Sequence, residues 1–309
     1  MKKIVFLDAA SLGAVGFEPI AALGDLVCYP VSSPEESLER VRDAQIIIVN
    51  KVRVTGELMD AAPGLELICE AATGVNNIDL EAARKRGIPV RNVAAYSTDS
   101  VVQITFCQIL SLVCRTGSLD REVKDGSYSR SNLFTDPSYL LSELSGKTIG
   151  IIGMGAIGTR VAKIAETFGM KVIYFSTSGT SHCKEYPSVP LDELLGVSDI
   201  VSVHCPLNGR TAGLIGAAEL HSMKSSAIII NMARGGIIDE QALSDAVGDG
   251  TISAAAVDVF TEEPLSEDNP LLHCARPDSL LLSPHIAWAS IEARNRLVQG
   301  IANNIMSIL

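Results

Sequence analysis

"KTIGIIGMGAIGTRVAKIAETFGM", residues 147–170, is the stretch on which the reading of the fold turns. It opens with an apolar run, 149–152, of the length and content of a buried strand. Gly153-Met154-Gly155-Ala156-Ile157-Gly158 follows at once, and beyond it Val161, Ile164, Ala165 and Phe168 recur at helical spacing. A lone GxGxxG says little, because glycines are common in loops. Between a strand and a helix each glycine has a task. Gly153 permits the tight turn, Gly155 lets a pyrophosphate approach the backbone, and Gly158 lets helix and strand pack closely. The helix N-terminus then presents unbonded N–H groups and a partial positive charge to phosphate.

Working outward, strand-like runs continue at 171–176, 199–205, 227–233, 254–260 and 280–283, with helical segments between them. Six strands complete a dinucleotide-binding sheet. On the N-terminal side a second series, 3–7, 46–49, 66–72 and 88–92, alternates with helices of its own. Ser33-Pro34-Glu35-Glu36 combines an N-cap, a proline at the first helical position and a glutamate that closes a capping box. Asp79 can cap the segment that follows it, and Gly87 can end that segment in a left-handed conformation. This alternation predicts an α/β protein with parallel sheets covered by helices on both faces. We expect two doubly wound domains with a cleft between them: a flavodoxin-like one from 1–97 plus 289–309, and a Rossmann-type one from 98–288. Residues 96–117 read as a long, nearly all-apolar helix that needs cover from more than one surface. The polar stretch 118–145 shows no period and reads as an extended arm or loop.

Composition bounds the function. The chain has 309 residues, 47% of them hydrophobic and 20% charged, enough to bury substantial cores. A net charge of −11 without a Lys/Arg-dense run argues against a nucleic-acid partner. The apolar segment 101–114 is interrupted by Gln103, Thr105, Gln108 and Ser111 and falls short of the roughly 20 residues of a membrane span, so we expect a soluble protein with no membrane partner. Seven cysteines without CxxC or zinc spacing fit a reducing cytoplasm and no metal site. Cys205 beside His204 suggests a nucleophile or ligand, but neighbours on a strand point to opposite faces.

The chemistry gathers at strand ends, where open parallel sheets bind ligands. The dinucleotide pattern asks for an acid about 20 residues beyond its glycines, to hold the adenosine ribose. Here the second strand ends in Ser176-Thr177-Ser178. Without a carboxylate a 2′-phosphate is not repelled, yet the arginine that would attract it is also missing, with His182 and Lys184 the cations in view. The cofactor, NAD or NADP, stays open. Arg234 follows the strand 227–233, Asp258 lies in the next strand with Glu263 just past it, and His285 follows the last strand, with Trp288 near it. A hydride-transfer enzyme acting on an alcohol needs a base for the hydroxyl proton, and an imidazole, with a free-side-chain pKa of about 6.5, suits that task. A carboxylate such as Glu263 can orient the ring, while Arg234 can bind a substrate carboxylate through two N–H groups.

With "GMGAIG", "NMARGGIIDE", "VDVFTEEPL" and "SPHIA" in order, the chain resembles the D-isomer-specific 2-hydroxyacid dehydrogenases over essentially its whole length. The resemblance implies Arg234, Glu263 and His285 as the catalytic set and Asp258 as a contact to the nicotinamide carboxamide. It implies a cofactor site of Gly153, Gly155, Ala156, Ile157, Gly158, Ser176, Cys205, Pro206, Thr211, Ala233 and Asp258. Substrate binding falls to Val52, Thr73, Gly74 and Val75 together with Arg234 and His285, the carboxylate being held by backbone N–H groups of the loop "ATGVNNID". "NKV" (50–52) and "HIAWAS" look most like the glycerate dehydrogenase, or hydroxypyruvate reductase, branch. The implied function is interconversion of a small D-2-hydroxy acid and its 2-keto acid, glycerate/hydroxypyruvate or glyoxylate, by a homodimer built on the 98–117 helix and the following arm. A D-lactate-type or broad-range 2-keto acid reductase is the alternative. A non-catalytic NAD(H)-sensing regulator would have an eroded catalytic set, and formate dehydrogenase pairs its histidine with glutamine, where this chain has Glu263.

Overall fold

The computed structural model describes residues 1–181 and 183–309, so His182 lies outside the described residues. The chain divides into two compact units, Met1–Ser97 with Ala289–Leu309, and Thr98–Trp288. Each is an α/β unit around its own parallel sheet, the expected fold class.

In the first unit the strands are β1 (Lys3–Phe6), β2 (Asp25–Cys28), β3 (Ile46–Val49), β4 (Leu67–Glu70) and β5 (Val90–Arg91), all parallel in the order β2-β1-β3-β4-β5. This is the flavodoxin-like order. β3 and β4 are buried at every position, as the unbroken apolar run in β3 requires of a strand covered on both faces. β2 escaped the sequence reading because it is a half-exposed edge strand without such a run. The helix Pro34–Arg40 starts in the expected capping box, Ser33 Oγ accepting from Glu36 N–H at 3.2 Å and Glu36 accepting from Ser33 N–H at 2.8 Å. Asp79 caps Leu80–Lys85, and Gly87 follows it at φ +68°. The C-terminal helix Ile291–Met306 returns to this unit. It buries Ala293, Leu297, Val298, Ile301, Ala302 and Ile305, and Arg296 donates to the Tyr96 carbonyl at 2.8 Å.

The second unit holds β6 (Thr148–Ile152), β7 (Lys171–Phe175), β8 (Ile200–Val203), β9 (Ile228–Asn231), β10 (Ala254–Val257) and β11 (Leu280–Leu282), in the order β11-β10-β9-β8-β6-β7. Ser188 adds a single parallel bridge to Tyr174 on the outer side of β7. Counting that bridge as a rudimentary strand, the sheet has the Rossmann order 3-2-1-4-5-6 with β11 added as a seventh strand beside β10, and the switch in direction lies between β6 and β8. The helix Thr98–Cys114 is shorter than the expected 96–117. Val101, Val102, Thr105, Phe106, Ile109 and Val113 form its buried stripe, while Gln103 and Cys107 are exposed. It packs on Ala156–Thr167, with the Phe106 and Phe168 rings stacked at 5.6 Å. Phe168, expected on the buried face of that second helix, lies just past its end and is 39% exposed.

The stretch 118–145 corrects the sequence reading. It is not wholly an arm or loop, because Thr116–Lys124 and Ser127–Arg130 are helical. Neither buries a residue, so no apolar period marks them. The first is supported instead by a Lys124–Asp120 pair one turn apart (2.7 Å) and by Arg121 reaching Asp278 (2.7 Å). Among the described residues no single helix is long and apolar enough to cross a membrane.

Candidate active site

In the Thr98–Trp288 unit the expected residues gather on the carboxyl edge of the sheet. Gly153 follows β6 at φ +96°, where a Cβ would meet the Cys205 backbone nitrogen at 2.8 Å. At Gly158 a Cβ would lie 2.2 Å from the Gly153 carbonyl oxygen, so helix and loop close only around hydrogen. Gly155 is the opposite case: nothing stands within 4 Å of its would-be Cβ. It is the N-cap of Ala156–Thr167, and no side chain caps that end. Open space at Gly155 beside the uncapped N–H groups of Ala156, Ile157 and Gly158 leaves room for a phosphate group to approach them.

The neighbouring loops complete that edge. Gly153 N–H donates to the Phe175 carbonyl at 3.0 Å, which ties the phosphate loop to the end of β7 and thus to Ser176. Beyond β8, Cys205 is buried and Pro206 exposed. The fully buried Thr211 hydroxyl donates to the Pro206 carbonyl (2.6 Å) and accepts from Asn208 N–H (2.8 Å), so it shapes this turn. Ala233 is buried after β9. Neither His204 nor Cys205 is poised for chemistry. Burial drives His204 down to about 3 and the Cys205 thiol up to about 11, and His204 Nε2 is engaged by the Ser202 hydroxyl at 2.8 Å. Among the described residues no cluster of three or more His, Cys, Asp or Glu side chains could hold a metal ion.

His285 sits at φ +50°, a left-handed backbone that costs a non-glycine residue about 1 kcal/mol or more. Asp258 imposes it. The carboxylate, 1% exposed at the end of β10, accepts from the Ser283 hydroxyl (2.6 Å), Ile286 N–H (3.0 Å) and Ala287 N–H (2.9 Å), and its carbonyl accepts from His285 N–H (2.8 Å). The turn is thereby clamped around the imidazole. His285 Nδ1 meets Glu263 Oε2 at 2.7 Å, with side chains 25% and 27% exposed. Glu263 Oε1 also accepts from Phe260 N–H at 3.1 Å, which fixes the carboxylate before it engages the ring. With Nδ1 engaged, Nε2 is the ring atom left for proton exchange with a ligand. Arg234 is half-buried, one N–H donating to the Ala233 carbonyl at 2.7 Å. Gly235 beside it is obligatory, since a Cβ would strike the Phe260 carbonyl at 1.9 Å. Trp288 joins the core beneath Thr98–Cys114.

The remaining expected residues belong to the other unit. Val52 N–H donates to Asp8 (2.9 Å). Thr73 is held through its hydroxyl to the Val93 carbonyl (3.1 Å) and through its carbonyl to the Asn92 amide (2.6 Å). Among the described residues the backbone N–H groups of Thr73, Gly74 and Val75 donate to no protein acceptor, as an anion-binding loop requires.

Comparison with known proteins identifies the family. The sequence pattern of the "D-isomer specific 2-hydroxyacid dehydrogenase, NAD binding domain" matches residues 106–287. A hydroxypyruvate reductase of Blautia hydrogenotrophica is 36% identical over 317 residues, spanning 99% of this chain and 97% of that protein. The chain belongs to the D-isomer specific 2-hydroxyacid dehydrogenase family. Among solved members, the D-lactate dehydrogenase of Aquifex aeolicus, complexed with NAD and lactic acid, superposes with a TM-score of 0.86 at 30% identity, covering 99% of this chain and 95% of that one. The NADPH-dependent glyoxylate/hydroxypyruvate reductase of Sinorhizobium meliloti gives 0.85 at 26% identity, covering 99% and 94%. As a 2-hydroxyacid dehydrogenase the chain is an oxidoreductase acting on CH–OH with NAD or NADP.

Several residues that build this site escaped the sequence reading. Glu240 accepts from Thr261 N–H (2.6 Å) and from the Asn269 amide (2.7 Å), anchoring the segment that carries Glu263. Its place in "ARGGIIDE" was the available signal. Arg210 corrects the view that no arginine stands near Ser176. From the loop after β8 its guanidinium donates to the Ser178 carbonyl at 3.0 Å, across 32 residues of sequence.

Proposed function

We propose that this 2-hydroxyacid dehydrogenase reduces a small 2-keto acid to the D-2-hydroxy acid and catalyses the reverse, with hydroxypyruvate/glycerate and glyoxylate as preferred substrates. The observation that carries the reading is the 2.7 Å His285–Glu263 contact on the same sheet edge as the Gly153–Gly158 loop. His285, charged, gives its Nε2 proton to the carbonyl oxygen as negative charge develops there, and in the reverse direction takes the hydroxyl proton. Glu263 holds Nδ1 and steadies the imidazolium. Arg234 pairs with the substrate carboxylate through two N–H groups and polarises the adjacent oxygen. In the other unit, the N–H groups of Thr73, Gly74 and Val75, with Val52, are the proposed anion-binding loop for a substrate carboxylate.

Ala156, Ile157 and Gly158 hold the pyrophosphate, Ser176 faces the adenosine ribose, and Cys205, Pro206, Thr211 and Ala233 support the nicotinamide side with Asp258 at its carboxamide. Bound there, the nicotinamide exchanges the hydride. The substrate choice follows the names of similar proteins, a hydroxypyruvate reductase and a glyoxylate/hydroxypyruvate reductase. A D-lactate-type activity is the second reading, favoured by the superposition on a D-lactate dehydrogenase. Initial rates with hydroxypyruvate, glyoxylate, pyruvate and phenylpyruvate decide between them, and no turnover of any would defeat the reading.

The proposal includes a homodimer. Phe134 (91% exposed), Leu140 (85%) and Leu133 (57%) stand out from the segment after Thr98–Cys114, and a second copy would cover them. Light scattering should report a dimer at micromolar concentration. Seven free thiols support a reducing compartment, the cytoplasm.

A further inference from the structure

We propose that Arg210 and the hydroxyl loop Ser176–Thr180 form a 2′-phosphate site, so that this enzyme prefers NADPH to NADH. The inference rests on the dehydrogenase reading above and names the cofactor it left open. The loop continues β7, whose last residue is bonded to the phosphate loop through Gly153 N–H (3.0 Å), so it stands where the adenosine ribose of a bound dinucleotide belongs. It contains no acid. The Ser176 hydroxyl donates to the Thr180 carbonyl (2.7 Å) and the Ser178 hydroxyl does the same (3.0 Å), which brings the two oxygens within 3.1 Å of each other. Gly179, at φ +79°, makes the tight return. A compact hydroxyl-lined turn is thereby presented in place of a carboxylate.

The cation comes from the next loop. Asn208 and Thr211 lock the turn after β8, with Asn208 Oδ1 accepting from Arg210 N–H (2.9 Å) and Thr211 Oγ1 accepting from Asn208 N–H (2.8 Å). One guanidinium N–H reaches the Ser178 carbonyl at 3.0 Å. A guanidinium has five N–H donors, so most of its fork stays free for a ligand, and among the described residues Arg210 pairs with no carboxylate. A structural clamp alone would use the one bond to Ser178. A charged fork beside a loop without an acid instead matches a phosphate dianion, which accepts charge-assisted bonds from the guanidinium and, once the Ser176 or Ser178 hydroxyl turns away from the Thr180 carbonyl, from that O–H as well.

Binding separates these alternatives. Dissociation constants of NADPH and NADH, read by nicotinamide fluorescence, are compared in wild type, Arg210→Ala and Ser176→Asp, with 2′,5′-ADP as a competitor. Wild type should bind NADPH more tightly. Arg210→Ala should weaken NADPH by about 10- to 100-fold, the range for charge-assisted hydrogen bonds, and NADH by no more than about threefold. Ser176→Asp should move the ratio toward NADH by roughly tenfold or more, through like-charge repulsion. Equal losses for both nucleotides in Arg210→Ala would mean a loop clamp and overturn the proposal, as would a wild type that favours NADH. Either result, with keto-acid turnover intact, leaves the dehydrogenase reading standing, whereas failure to bind either nucleotide would sink both.

Discussion

Asp8 and Asp258 perform the same mechanical task in the two sheets, yet only Asp258 clamps a turn that carries the proposed acid–base, His285. Asp8, after β1, accepts from the N–H groups of Asn50 (3.0 Å), Lys51 (2.6 Å) and Val52 (2.9 Å) and fixes the loop beyond β3. Asp258, at the end of β10, fixes the turn beyond β11 by the same device. The carboxyls beside them diverge. Glu70, at the end of β4, is fully buried, accepts from the Asn77 amide (2.9 Å), and has no hydrogen-bond partner at Oε1 among the described residues. Burial pushes it up to about 8, which favours its neutral form. Glu263 is a quarter exposed and faces an imidazole. A carboxyl at the carboxyl edge of a parallel sheet is therefore no sign of catalysis by itself. Access to ligand and a titratable neighbour distinguish the reacting group from the scaffold.

Removing each scaffold tests that parallel. Asp258→Ala and Asp8→Ala each strand three donors, which at about 1–3 kcal/mol per buried unmet group predicts a loss of about 3 kcal/mol or more in denaturant unfolding. The kinetics should part company: Asp258→Ala lowers kcat by releasing the His285 turn, whereas Asp8→Ala raises KM through Val52. Identical kinetic profiles would erase the distinction.

A smaller effect sharpens the contrast between the glutamates. The folded pKa of Glu70 lies above its unfolded value near 4.5, so its contribution to stability is present below pH 4.5 and lost as pH rises through about 8. In that window wild type should lose up to roughly 1.4 kcal/mol per pH unit relative to Glu70→Gln, which keeps the acceptor for Asn77 and cannot ionise. Parallel stability curves for the two proteins would place Glu70 among ordinary carboxylates. Smallest is Ser33→Ala, which should lower stability by about 1 kcal/mol through loss of the capping box and leave kcat/KM unchanged.

What could be read from the sequence was what is local. The glycines of residues 153–158, the Ser33 capping box, the Asp79 cap and the apolar strands each declare themselves within a few residues, because one turn or one strand sets their requirements. Polar helices such as Thr116–Lys124 declare nothing, since they bury nothing. The single bridge at Ser188 is too short to show a pattern. The residues that hold the site act across strands: Asp258 on 283–287, Glu240 on 261–269, Asn77 on the loop at 50–52, Arg210 on Ser178. Such contacts depend on which strands become neighbours, and no local spacing encodes that. His285 could be found as a residue, but its left-handed backbone and the clamp that enforces it belong to the folded sheet.

The central claim is that His285, held by Glu263, is the proton donor in keto-acid reduction. Its most direct test is the rate of hydroxypyruvate reduction by His285→Ala under saturating NADPH and substrate, with cofactor affinity measured on the same preparation. A fall in kcat of roughly 10²–10⁴-fold with NADPH binding retained is the predicted result. A near-normal kcat in that variant would contradict the account.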